Sequence, residues 1–219
     1  MRTTILGLIV LVFTLSSAFA MDRDEFMQQW DAAEGKAAKV SLAQEAVREA
    51  ADIDVIRAVQ DKWEEYDADS ALEFFQSLVD ESASAQNLYL MGRLQESPMD
   101  QIDYARRALT IDPEFIYGYR LLCVTYQQNL YRGEEGDEYF AALEATFARD
   151  FPVIHQATEI LPDNAEAWGY YNNALGYQKD FTGQLKVLEI GKELGARWAR
   201  VQAFTNAYVG LGDYQQALD

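Results

Sequence analysis

The chain has 219 residues, with 36 acidic side chains against 18 lysines and arginines, a net charge of −18, and 49% hydrophobic and 13% aromatic residues. Such acidity repels phosphate backbones and offers no basic patch to anionic lipid heads, which argues against nucleic acid and charged membrane surfaces as partners. A single cysteine, Cys123, excludes an intramolecular disulfide, and the length and aromatic content suffice to bury a core without one.

The first element is a candidate leader. Arg2 precedes an apolar run from Ile5 to Leu15 and then Ala18-Phe19-Ala20, the order of a secretory signal: charge, hydrophobic stretch, small-residue cleavage site. The run is shorter than the roughly 20 apolar residues of a membrane-spanning helix, so cleavage after Ala20 is expected, with no stable membrane insertion afterwards. No cysteine lies at the site, which leaves the lipoprotein route unsupported. The expected mature chain starts at Met21, is exported (periplasmic or secreted), and loses only Arg2 among its charges, taking the net charge from −18 to −19.

From Met21 on, no segment alternates as a strand does, and apolar residues recur at spacings of three and four. The fold class is therefore all-α. In a helical N-terminal section, residues 21–82, helices are predicted near Arg23 to Ala33, Leu42 to Ala50, Ile53 to Tyr66 and Ser70 to Val79. The last would place Leu72, Phe75 and Leu78/Val79 on one face, with Asp69 or Ser70 capping its start.

Residues 83–219 carry a repeat. A large, large, small, large pattern begins as Leu88, Met91 and Gly92, returns as Tyr119, Leu122, Cys123 and Tyr126, then as Trp168, Tyr171, Asn172 and Leu175, and again as Val201, Phe204, Thr205 and Tyr208. Trp168 and Val201 stand 33 residues apart. Second-helix signals follow as Ala105 to Ala108 before Asp112-Pro113, as Ala157 before Pro162, and as Gly212-Asp213-Tyr214 leading to Ala217-Leu218. The segment from Leu161 to Ala174 joins a helix end at Pro162 through Asp163 and Asn164 to a new helix opened by Trp168. These features resemble the tetratricopeptide repeat, whose period is about 34 residues. The resemblance implies a helix-turn-helix solenoid. Small residues are expected where paired helices cross, at Gly92, Cys123, Thr205, Ala108, Ala157 and Gly191; Asn172 departs from that rule. Trp168 is expected to pack between adjacent repeats. The second copy, at 49 residues from Tyr119 to Trp168, exceeds one period by about 15. Gly136-Asp137 and Asp150-Phe151-Pro152 suggest an extra or enlarged helix there, with Pro152 read as a helix start.

Chemistry-bearing residues are sparse. His155 is the only histidine and lacks the clustered ligands of a zinc or copper site, and Cys123 fits as a small packing residue with Arg120 the only nearby base. Carboxylate pairs such as Glu64/Glu65 and Glu134/Glu135 diverge around a helix as solvated surface. No phosphate loop, calcium loop or nucleophile elbow occurs. No catalytic residue, cofactor or metal is expected.

The resemblance places ligand contacts on the first helix of each pair, lining a concave groove, one and five residues after the first large position. Those positions are Tyr89 and Arg93, Arg120 and Val124, Gly169 and Asn173, and Gln202 and Asn206. Arginine grips a carboxylate with two parallel bonds, and asparagine both donates to and accepts from a peptide backbone. The expected partner is thus a protein or an extended peptide, the plainer alternative being solvated groove positions. The family's chaperone-tail clamp uses lysines where Gly169 and Gln202 stand, so that activity is not carried over. Two other functions compete: the non-catalytic front of a longer exported enzyme, such as a thioredoxin-like fusion, and a self-associating structural repeat. The pattern stops within a second helix at Ala217-Leu218-Asp219. Repeat arrays end in a polar cap, so either a longer polypeptide or cover by a partner or second copy is expected there. Export is checked directly: N-terminal sequencing of secreted material should begin at Met21, and recovery of Met1 would refute cleavage.

Overall fold

The computed structural model describes residues 21–130 and 138–218. The leader, the pair Glu134/Glu135, Gly136-Asp137 and Asp219 lie outside the described residues. Among the described residues, eleven helices and no strand are found, as the spacing predicts. The chain forms two compact units, one through Trp63 and one from Glu64, whereas the repeat pattern alone drew its boundary after Ser82.

In the first unit α1 (Arg23–Ala32) starts where the Asp22 carboxylate accepts the Glu25 N–H at 2.8 Å, satisfying one orphan donor of the first turn. Phe26 and Trp30 of α1 are buried, as are Ala43, Ala46 and Val47 of α2 (Lys36–Glu49) and Ile56, Val59 and Trp63 at the start of α3 (Ile53–Glu81). Helix α2 begins six residues before the expected Leu42, because Lys36-Ala-Ala-Lys is itself a run of strong helix formers. Lys39 Nζ reaches across to the Trp30 carbonyl at 2.6 Å, placing a cation at the C-terminal end of α1.

The two helices expected over 53–79 form a single element interrupted at Asp67, whose φ of −159° and ψ of 79° are non-helical. Ser70 does not cap: its hydroxyl donates to the Asp67 carbonyl at 3.2 Å. The buried face also turns relative to expectation. Ala71, Phe74, Phe75 and Val79 are inside, and Leu72 is 39% exposed.

The second unit continues with α4 (Ala85–Arg93), α5 (Pro98–Ile111), α6 (Ile116–Leu130), α7 (Glu138–Ile160), α8 (Ala165–Tyr177), α9 (Phe181–Glu193), α10 (Val201–Leu211) and α11 (Tyr214–Leu218). From α4 on, each helix packs on its successor, and the first helices of successive pairs also meet, α4 on α6 and α6 on α8. Side-chain caps mark the starts: Ser84 for α4, Ser97 followed by Pro98 for α5, Asn164 for α8 and Asp180 for α9. Gly212 ends α10 at φ 75°, a left-handed conformation that glycine adopts without penalty.

The small-residue positions at Gly92, Ala108, Cys123, Ala157 and Gly191 are buried, whereas Thr205 is only half-buried and lines a cavity beside α11. A Cβ on Gly92 would stand 2.7 Å from both Leu121 and Tyr104, so only glycine lets α4, α5 and α6 meet there. Ala105, Ala108 and Ala157 are wholly buried. The enlarged second copy is explained by α7, which runs 23 residues as one helix with Pro152 inside it. Pro152 is therefore not a helix start. Its missing N–H removes one bond of the α7 ladder without ending the helix.

Asp150, 3% exposed, organises this region. Arg106 of α5 grips it with Nε and Nη2, each at 2.8 Å, and the Tyr126 hydroxyl of α6 donates to the same carboxylate. Three helices from two repeats thus converge on one charge that is fully paired. Asp150→Ala would leave the half-buried Arg106 guanidinium without its counter-charge. It is expected to cost about 3 kcal/mol in urea unfolding, and a loss below about 1 kcal/mol would show the network to be dispensable.

Candidate functional site

A cavity of about 380 Å³ is lined by Arg120 and Val124 of α6, by Glu166, Gly169, Tyr170, Asn172 and Asn173 of α8, by Trp198 and by Ala203 of α10. It gathers four of the eight expected positions, Arg120, Val124, Gly169 and Asn173. The direct packing of α6 on α8 brings the first helices of copies two and three side by side, so side chains at equivalent helical positions converge.

The other positions fall elsewhere. Tyr89 is 1% exposed, its ring 5.5 Å from Tyr117 and 5.9 Å from Phe115, so it is core and presents no surface. The Arg93 guanidinium lies 6.0 Å over that ring. Gln202 donates to Asn206 at 2.9 Å on the exposed side of α10, outside the cavity wall.

Gly169 makes room rather than contact. A Cβ there would lie 2.9 Å from the Trp198 indole nitrogen, and one on Gly191 of α9 would overlap the far edge of the same indole. Trp198 therefore seats against two glycines of two helices, and its Nε1–H donates to the Ala165 carbonyl at 2.8 Å. It takes the inter-helix role expected of Trp168. Trp168 is only half-buried, with its indole donating to the Pro162 carbonyl at 2.8 Å in the preceding turn. Its place in the first turn of α8 directs the ring back over that turn. The sequence signal for Trp198 was the pair of glycines 22 residues apart on α8 and α9, whose common occupant lies outside the repeat motif.

Electrostatically the cavity is mixed. Tyr170 donates its hydroxyl to Glu166 at 3.1 Å. Burial, then the Glu166 charge, push the Tyr170 phenol up from its ordinary value, against the opposing pull of Arg120. Arg120 is half-buried and forms no ion pair with any described residue. Asn172, the residue that broke the small-residue rule, is 8% exposed, and its Oδ1 accepts no hydrogen bond among the described residues. A buried acceptor left so costs about 1–3 kcal/mol. Its neighbour Asn173 is exposed.

Elsewhere, Cys123 is buried, and desolvation together with the Asp150 charge raises its pKa, which disfavours thiolate. His155 is exposed and stacks on Tyr171 with ring centres 4.6 Å apart. Among the described residues no group of three or more His, Cys, Asp or Glu side chains is placed to hold a metal, and no helix is long and apolar enough to cross a membrane. A second cavity of about 430 Å³ lies beside α10 and α11, where the half-buried Phe204 and Tyr208 meet Leu218, itself 84% exposed.

No family model matches the chain, and no curated protein matches it in sequence. Among solved structures, one of the protein MamA has a TM-score of 0.54 at 15% identity, covering 73% of this chain and 88% of its own. MamA (residue 41 to its end) from Desulfovibrio magneticus RS-1 has 0.53 at 11%, covering 76% and 89%. A thermophilic TPR protein from Thermus thermophilus has 0.51 at 19%, covering 69% and 78%. The chain has the tetratricopeptide-type helical-repeat fold.

Two outcomes are expected here. Gly169→Ala should displace the indole and break the Trp198–Ala165 bond, costing about 1–3 kcal/mol with a change in tryptophan emission; unchanged stability and emission would show that Trp198 is not wedged. Tyr126 is also raised, by burial and then by its bond to the Asp150 carboxylate. Unfolded tyrosines lose protons near pH 10 while folded Tyr126 and Tyr170 keep theirs. Their contribution is fully present below pH 10, and stability should fall as pH rises above it, which denaturant unfolding from about pH 8 upward measures.

Proposed function

We propose that this protein is an exported interaction module that holds an extended segment of a partner protein in the cavity between α6, α8 and α10. The observation that carries the reading is the convergence of Arg120, a half-buried cation without an ion-pair partner among the described residues, with the Asn173 amide in one cavity. A guanidinium so placed offers a forked pair of donors, and an amide offers one donor and one acceptor to a peptide backbone. The wall contains no serine, cysteine or histidine, and Tyr170 is held in its protonated form, which favours binding over catalysis.

The test is binding of extended decapeptides to the purified chain by calorimetry. Arg120→Ala/Asn173→Ala should abolish binding while circular dichroism shows the double variant folded; Asn173 is exposed, where polar substitutions alter stability by about 0.5 kcal/mol or less. Retained binding by the folded double variant would move the site elsewhere. Self-association is the second reading, favoured by the apolar surface at Val201, Tyr214 and Leu218, which are 83%, 65% and 84% exposed. Sedimentation equilibrium of the wild-type chain decides it: a concentration-independent monomer rules it out.

A further inference from the structure

The cavity wall is more selective than a general peptide groove requires. It holds a single cation, Arg120 of α6, together with Glu166, Tyr170, Asn172 and Asn173 of α8. The apolar part of the wall is Val124, Ala203 and the Trp198 indole, whose only polar atom is already bonded to Ala165.

Glu166 sets a limit on charge. Its carboxylate holds the Tyr170 hydroxyl at 3.1 Å and lines the same cavity as Arg120. One carboxylate entering the cavity is offset by Arg120, and a second meets both Glu166 and the field of a chain carrying −18. The groove positions also extend beyond the cavity, to Gln202 and Asn206 along the outer side of α10.

Resting on the reading of the cavity as a peptide site, we propose that it selects a single acidic side chain adjacent to a large apolar residue, with Arg120 taking the carboxylate and Trp198 and Val124 the apolar neighbour. Arg120 is the specificity-determining residue, and Glu166 excludes acidic runs.

The experiment titrates the full chain with decapeptides that are N-acetylated and C-terminally amidated, so that only side chains carry charge. The sequences contain one Asp beside Leu in a Ser/Gly background, the same with Asn for Asp, and a run of three Asp beside Leu. A fourth peptide has Asn beside Leu and a free C-terminal carboxylate. The single-Asp peptide should bind about tenfold tighter than its Asn counterpart and tighter than the Asp run, with affinity falling as salt rises. Arg120→Gln should remove the Asp over Asn preference, Arg120→Lys should keep part of it, and Glu166→Gln should let the Asp run bind as well as the single Asp. Circular dichroism establishes that each variant is folded.

Equal affinity for Asp and Asn in the wild type, a preference that survives Arg120→Gln, or binding confined to the free-carboxylate peptide overturns the selectivity while leaving a peptide site in place. Binding of none of the peptides to the wild type removes the site itself and this inference with it.

Discussion

The position of everything from α5 to α8 depends on the charge of Asp150. A carboxylate 3% exposed is tolerated only when its oxygens are occupied, and here they are, by the forked Arg106 and by Tyr126. Apolar packing is non-directional, whereas the forked Arg106 contact and the Tyr126 bond set the direction of approach as well as the distance. It fixes α7 against α5 and α6, and because α8 packs on both α6 and α7, it fixes the cavity wall as well. The longest helix of the second unit, and one that contains a proline, is thus held by a directional contact where an ordinary repeat relies on shape.

Much of this was legible in one dimension. Helical period, the turn at Asp163 and Asn164, and glycine or alanine at helix crossings are local signals, and they located the repeats because each depends on neighbours a few residues away. Asp150 was not legible. Preceding Phe151-Pro152, it looks like the start of a helix, and its partner Arg106 is 44 residues distant. Asp67 likewise escaped notice, since Asp69 and Ser70 nearby carry the same capping chemistry.

The candidate site was half legible for a related reason. Arg120, Val124, Gly169 and Asn173, at equivalent positions of the repeat register, line one cavity. Register alone cannot say what covers a position, and Phe115 and Tyr117 close over Tyr89 where the pattern implied an open surface. Asn172 did stand out in the sequence, as a polar residue where a small one belongs. It lines the cavity wall, with its Oδ1 buried and without a partner among the described residues.

The bond from Trp198 to Ala165 has a consequence for how the chain acquires its structure. It closes a loop of 33 residues that contains both helices of the third pair and reaches into the connection beyond them. In a simple linear array each helix pair is a folding unit and the connections are passive. Here the third pair completes its packing only once the following connection has docked, so the cooperative unit runs from the start of α8 to residue 198 and is out of step with the sequence repeat. A chain cut between α9 and residue 198 would thus hold both helices of the third pair and still lack the indole that seats against Gly169 and Gly191.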